Sequence, residues 1–195
     1  MSIDAMSEPT LVLFGKLPSR GDFVSRGLDG ATLEAWDGWF SAQLESAKTR
    51  LGDDFPATHD AAPPWRFVDA PGAFGAGWRA GAFAPSMDSV GRRFFVMAAA
   101  DHLSSDQAAG GAAMAVAMEG VIYEAFEQGW DADGVIERGG EAVRNVMRSA
   151  GSTSPPPTAS WATSGSPTYP PTTLARRPDD VIGRFGAPVD GEGGA

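Results

Sequence analysis

The side chains most able to do chemistry crowd into Gly15-Lys16-Leu17-Pro18-Ser19-Arg20-Gly21-Asp22-Phe23, which sets an amine, a hydroxyl, a guanidinium and a carboxylate among glycine and proline steps. Such a set can cradle a phosphate, activate a nucleophile or dock a charged partner. Phosphate-loop chemistry fails on spacing, because a Walker motif needs an earlier glycine and a Ser or Thr directly after the lysine. Met6 to Leu13 supplies no glycine, and Leu17 follows Lys16. Ser19 has no histidine near it in sequence and no nucleophile-elbow pattern, so a Ser- or Asp-based hydrolase is a remote alternative. Arg20-Gly21-Asp22 matches an adhesion tripeptide that is common by chance.

What remains is electrostatic. Lys16, Arg20 and Arg26 stand together on a chain of net charge −10, and Arg92-Arg93 form a second tight cationic spot. If the two loops meet at one end of a sheet, they make a positive site in a negative field. The alternative is that these arginines pair with Asp22, Asp29 and Asp88 and merely stiffen the loops. Asp88, Asp101 and Asp106 near strand ends invite a hard cation, but capping and turn formation explain them more simply. His59 and His102 are too far apart for a helix-spaced metal pair and read as ordinary surface histidines. No catalytic residue, metal or cofactor is expected. The candidate partner-binding residues are Lys16, Ser19, Arg20, Asp22, Asp88, Arg92 and Arg93.

The elements that must position them follow from hydrophobic periodicity. Leu11-Val12-Leu13-Phe14 reads as a strand buried on both faces, within a strand from Thr10 to Phe14, and Ala31 to Leu51 as a helix. Trp36, Trp39, Phe40 and Leu44 share one face of that helix, and burying four such side chains contributes about 6 to 12 kcal/mol before entropy. Gly52 to Pro64 reads as an irregular crossing with at most a short helical turn. Trp65 to Val68, Gly77 to Ala84 and Phe94 to Ala99 form an antiparallel meander, with Ser86 to Arg92 as a polar turn. From Ser105 a long helix begins, marked by Met114, Met118, Val121, Ile122 and Phe126, and Val135 to Met147 gives a further helix weakened by Gly139-Gly140.

Length and composition bound the rest. The 195 residues, 43% of them hydrophobic, suit one domain: a flexible N-terminus over 1–9, a body over 10–186 with a Ser/Pro-rich loop at 149–159, and a disordered tail over 187–195. Acidic residues outnumber basic ones 25 to 15, which argues against nucleic-acid binding and anionic membranes. There is no cysteine, so a thiolate site and Cys catalysis are excluded. No signal-like or membrane-spanning stretch is present, and a cytoplasmic location is expected.

Four blocks in order, Phe14 to Leu28, Trp36-Asp37-Gly38-Trp39, Trp65-Arg66-Phe67 and Pro85 to Phe94, resemble the TagF (ImpM) family of type VI secretion accessory proteins. Ser160-Trp161 with Gly165 is similar to that family's late Ser-Trp-Trp strand, and Pro178 to Phe185 to its closing Leu-Pro helix. Ala162, Arg177 and the proline-rich 52–64 stretch depart from the pattern. The resemblance implies a mainly antiparallel central sheet flanked by helices, an α/β (α+β) sandwich-like single domain, with a late strand pair near Ser160 to Ser164 and Thr172 to Ala175. It also implies a non-enzymatic, post-translational negative regulator of bacterial type VI secretion, binding the forkhead-associated scaffold. Any protein phosphatase and kinase pair would be separate and indirect. The alternative is a structural assembly accessory protein whose motif is architectural.

Overall fold

The computed structural model describes residues 8–149, and the backbone of 160–163 and 172–173. Most of the expected N-terminal segment and Ser/Pro-rich loop, the closing helix from Pro178 and the 187–195 tail lie outside the described residues. The strands are β1 (Thr10–Lys16), β2 (Phe23–Arg26), β3 (Trp65–Asp69), β4 (Trp78–Met87), β5 (Arg93–Leu103), β6 (Ser160–Thr163) and β7 (Thr172–Thr173). The helices are α1 (Gly30–Leu51), α2 (Phe55–Ala61), α3 (Ser105–Ala108), α4 (Gly111–Gln128) and α5 (Ala132–Ser149). All strands join one antiparallel sheet in the order β2-β1-β5-β4-β3-β6-β7, flanked by helices as the resemblance implied. The meander β3-β4-β5, the interior position of β1 and the late strand pair also match expectation.

Strand alternation divides the core into two layers. Val12 and Phe14 of β1 join Trp36, Phe40 and Leu44 of α1 on one face, whereas Leu13 joins Met114, Met118 and Val143 of α4 and α5 on the other. The α1 layer is aromatic: Trp36 stacks on Phe74 with ring centroids 3.9 Å apart, and Phe40 meets Phe83 edge-on at 5.3 Å. Its helix is started by Asp29, whose carboxylate accepts from Thr32 N at 2.8 Å. The α4 layer is built on small residues, Ala80, Ala82, Ala84, Ala98 and Ala100, which let the helix approach the sheet closely. α5 continues through Gly139-Gly140 because the missing side chain makes room: a Cβ on Gly139 would lie 3.1 Å from Leu11.

Three local expectations are corrected. The stretch from Gly52 is not an irregular crossing; a 3-10 turn (Gly52–Asp54) leads into α2. Pro56 sits in the first turn, where no N–H is needed, and Phe55 and His59, one helical turn apart, are both buried. The path from β1 to α1 is not one loop, because Phe23–Arg26 returns as β2, in register from Leu13↔Arg26 to Lys16↔Phe23. Ser86 belongs to β4 rather than to the turn, since β4 pairs with β5 as far as Met87↔Arg93. No helix among the described residues is long and apolar enough to cross a membrane.

Candidate functional site

β1 approaches β5 at Gly15, whose φ of 124° is open to glycine and whose Cβ, if present, would lie 2.1 Å from Phe95 O. This close passage delivers Lys16 to the end of the sheet, where its buried Nζ donates to Asp88 Oδ2 at 2.8 Å. Asp88 is the hub. Its Oδ1 accepts from Val90 N at 3.1 Å and Arg92 N at 2.9 Å, closing the turn after β4, while Oδ2 also accepts from Arg92 Nε at 2.7 Å. Burial pushes this carboxyl up, but the hydrogen bonds from Lys16, Arg92 and Val90 outweigh it and hold its pKa below the ordinary carboxylate range.

The second loop also grips the backbone of the first. Ser86 Oγ donates to Lys16 O at 2.7 Å, Ser89 N to Arg20 O at 2.8 Å, and Arg92 Nη2 to Gly21 O. A third element, the α4–α5 turn, closes the assembly from the side. Ser19 Oγ donates to Trp130 O at 2.7 Å, Arg20 pairs with Asp131 at 3.2 Å, and Arg26 pairs with Asp133 at 2.8 Å. The Gly134 amide, assisted by Arg20, lowers the Asp131 pKa against its burial.

The sequence-predicted residues therefore separate. Lys16 and Asp88 are interior; Ser19 and Arg20 lie on the surface and bridge to the α4–α5 turn; Arg92 spans the two environments. Asp22 projects into solvent with its side chain 99% exposed, 3.9 Å from Arg92. Arg93 points elsewhere, making two hydrogen bonds of 2.8 and 2.6 Å to Asp60 of α2, whose pKa it lowers with help from His59. The expected net positive site does not form, because Asp88, Asp131, Asp133 and Asp60 neutralise the cations. Of the three carboxylates expected to pair with the arginines, Asp88 and Asp22 both meet Arg92, at 2.7 and 3.9 Å, whereas Asp29 caps α1 instead.

His59 is a buried residue, not a surface one: its Nε2 bonds Phe94 O at 2.8 Å. Asp101 is buried against Arg79 at 2.6 Å, and Asp106 lies exposed in the first turn of α3. No group of three or more His, Asp or Glu that could hold a metal ion occurs among the described residues. Sequence reasoning missed Phe23 and Val90, which are 51% and 70% exposed on the joined loops. A large apolar residue inside each of two polar turns was the available signal. It also missed Asp131 and Asp133, because carboxylates at a helix start are accounted for by capping and by the positive end of the helix dipole, as the bond from Gly134 N to Asp131 shows.

Fold and site together define an α/β sandwich in which a buried ion pair cross-links two loops at one end of an antiparallel sheet. The model of the TagF N-terminal domain, type VI secretion system-associated, matches residues 12–138, a span from β1 into α5 that contains both loops. The chain belongs to this family and is a type VI secretion-associated protein. The crystal structure of PA0076 from Pseudomonas aeruginosa PAO1 is similar, with 26% identity and a TM-score of 0.60 over 80% of this chain and 72% of that one. No curated protein matches the chain.

Proposed function

We propose that the protein is a non-enzymatic, cytoplasmic negative regulator that restrains type VI secretion after translation by binding a component of that system, its forkhead-associated scaffold. The observation that carries this reading is the surface of the joined loops. Their internal hydrogen bonds are consumed in the lock, yet Phe23 and Val90 stay exposed beside Arg20 and Arg92. An apolar centre with arginine at its rim is the usual anatomy of a docking patch, and a rigid one loses little entropy on binding. A shallow groove lined by Arg20, Asp22, Phe23, Val24 and Arg26 extends the patch along β2.

Ser19 supports a non-catalytic role, since its hydroxyl donates to a backbone carbonyl rather than to a base. The architectural reading holds for part of the motif: Lys16, Ser86 and Asp88 face inward and build the patch without being in it. Any phosphatase or kinase would act as a separate protein upstream. Capture of the scaffold by wild type and by Val90→Asp/Arg20→Glu tests the proposal. Loss of capture with an unchanged melting temperature supports it, and full capture by the folded double variant overturns it.

A further inference from the structure

β2 ends the sheet on its own side, so among the described residues no strand pairs with its outer edge. The register sets which backbone groups point outward there. A Cβ on Gly27 would lie 2.2 Å from Leu11 O, so Leu11, and with it Leu13 and Gly15, turns its N–H and C=O toward β2. Their partners Arg26 and Val24 are spent on β1, while the alternate residues Phe23 and Ser25 direct N–H and C=O away from the sheet. Ser25 O accepts from Arg26 Nη1 at 2.9 Å, as an outward carbonyl can. A groove follows this edge, lined by Arg20, Asp22, Phe23, Val24, Arg26 and Ala132. Phe23 lies on the α1 side, its ring 6.0 Å from Phe14 and 4.7 Å from Phe94, whereas Val24 packs on the α4–α5 side. A groove that touches both is centred on the edge itself.

We propose that the partner docks by adding a strand: an extended segment of the secretion-system component pairs its backbone with Phe23 and Ser25 along β2. This inference rests on the docking surface proposed above and gives the conformation of the segment it takes. Two observations favour a partner segment over a second copy of the chain. Edges of four residues, each about 13 Å long, bury far less than the ~1,200 Å² that a stable dimer needs, and a net charge of −10 opposes self-association. A single added strand needs only the edge, and it continues onto the exposed Phe23 and Val90. In the free chain the edge is guarded by Arg26, which lies across it between Ser25 O and Asp133, a charged cover against indiscriminate pairing. That ion pair is exposed and therefore weak, so an incoming strand displaces it.

Ser25→Pro deletes the outward N–H and leaves the β1 ladder intact, at an edge position where a strand tolerates proline. Ser25→Ala is its control. Capture of the forkhead-associated scaffold by Ser25→Ala is expected to equal that of wild type, and capture by folded Ser25→Pro to be about tenfold weaker, because a partner carbonyl is left unpaired. Residue-resolved amide exchange of wild type in the complex is expected to slow at least about tenfold at Phe23 and Ser25, and to change less at Val24 and Arg26, already bonded to β1. Full capture by folded Ser25→Pro, or unchanged exchange at Phe23 and Ser25 in the complex, overturns the added strand while leaving the docking surface standing. The exchange measurement decides alone if Ser25→Pro fails to fold. A dimer of the chain by itself that Ser25→Ala keeps and Ser25→Pro abolishes overturns the choice of occupant, and a wild type that captures no scaffold overturns the docking surface and this inference together.

Discussion

Lys16→Met removes the ammonium at the centre of the lock and keeps a flexible, unbranched stem of similar length. Asp88 is then left buried with three of its four donors, the Val90 and Arg92 amides and Arg92 Nε at 3.1, 2.9 and 2.7 Å. The loss falls at the low end of that for breaking a buried ion pair, a fall in melting temperature on the order of 6 to 10 °C for a chain of this size. Adding Asp88→Asn removes the buried charge and keeps an oxygen for the two amides, but sets its NH2 against Arg92 Nε. Because both changes break the same Lys16–Asp88 contact, the double variant loses less than the sum of the two single losses, and the two changes are non-additive. Thermal and urea unfolding of the four proteins in the cycle measure this. A melting temperature for Lys16→Met within about 2 °C of wild type, or strictly additive losses, would show that the pair is not the hub described here.

The acid limb of stability follows from the same carboxylates. Asp88 and Asp60 titrate below their ordinary range in the folded chain, so their stabilisation is complete above about pH 4 and is lost as pH falls through the depressed folded values. Circular dichroism across an acid titration is expected to show Lys16→Met unfolding at higher pH than wild type, and coincident curves count against the assignment. Trp36→Ala empties the centre of the aromatic layer and is expected to cost about 3 to 5 kcal/mol in urea unfolding. Gly15→Ala forces a side chain onto Phe95 O and a positive φ onto alanine, with a backbone penalty of about 1 to 3 kcal/mol before any clash; a wild-type urea midpoint would refute the close passage. Arg20→Glu alters only an exposed pair, so calorimetry should find the melting temperature within about 2 °C of wild type.

How much was legible in the sequence depended on how local the cause was. α1 and the meander were readable because each writes its period directly into the chain, as with Trp36, Phe40 and Leu44. β2 was hidden because four residues, Phe23-Val24-Ser25-Arg26, carry no alternation of their own and are specified by pairing with β1. α2 was obscured by Asp, Ala and Pro, and its reason for being helical is the burial of Phe55 and His59 against distant strands. The two charged loops were identified, but their electrostatics were not. The neutralising Asp131 and Asp133 lie more than a hundred residues downstream, and only the tertiary fold brings them to Arg20 and Arg26. The open question of whether the two loops face each other or outward has a divided answer, with Lys16 and Asp88 inward and Phe23 and Val90 outward.

The central claim is that the face of these joined loops meets a secretion-system component. Amide hydrogen exchange of this protein, alone and with the forkhead-associated scaffold added, tests it most directly. Protection confined to residues 19–26 and 88–92 is the predicted result; protection on α1 or α4 with the two loops unchanged would contradict it.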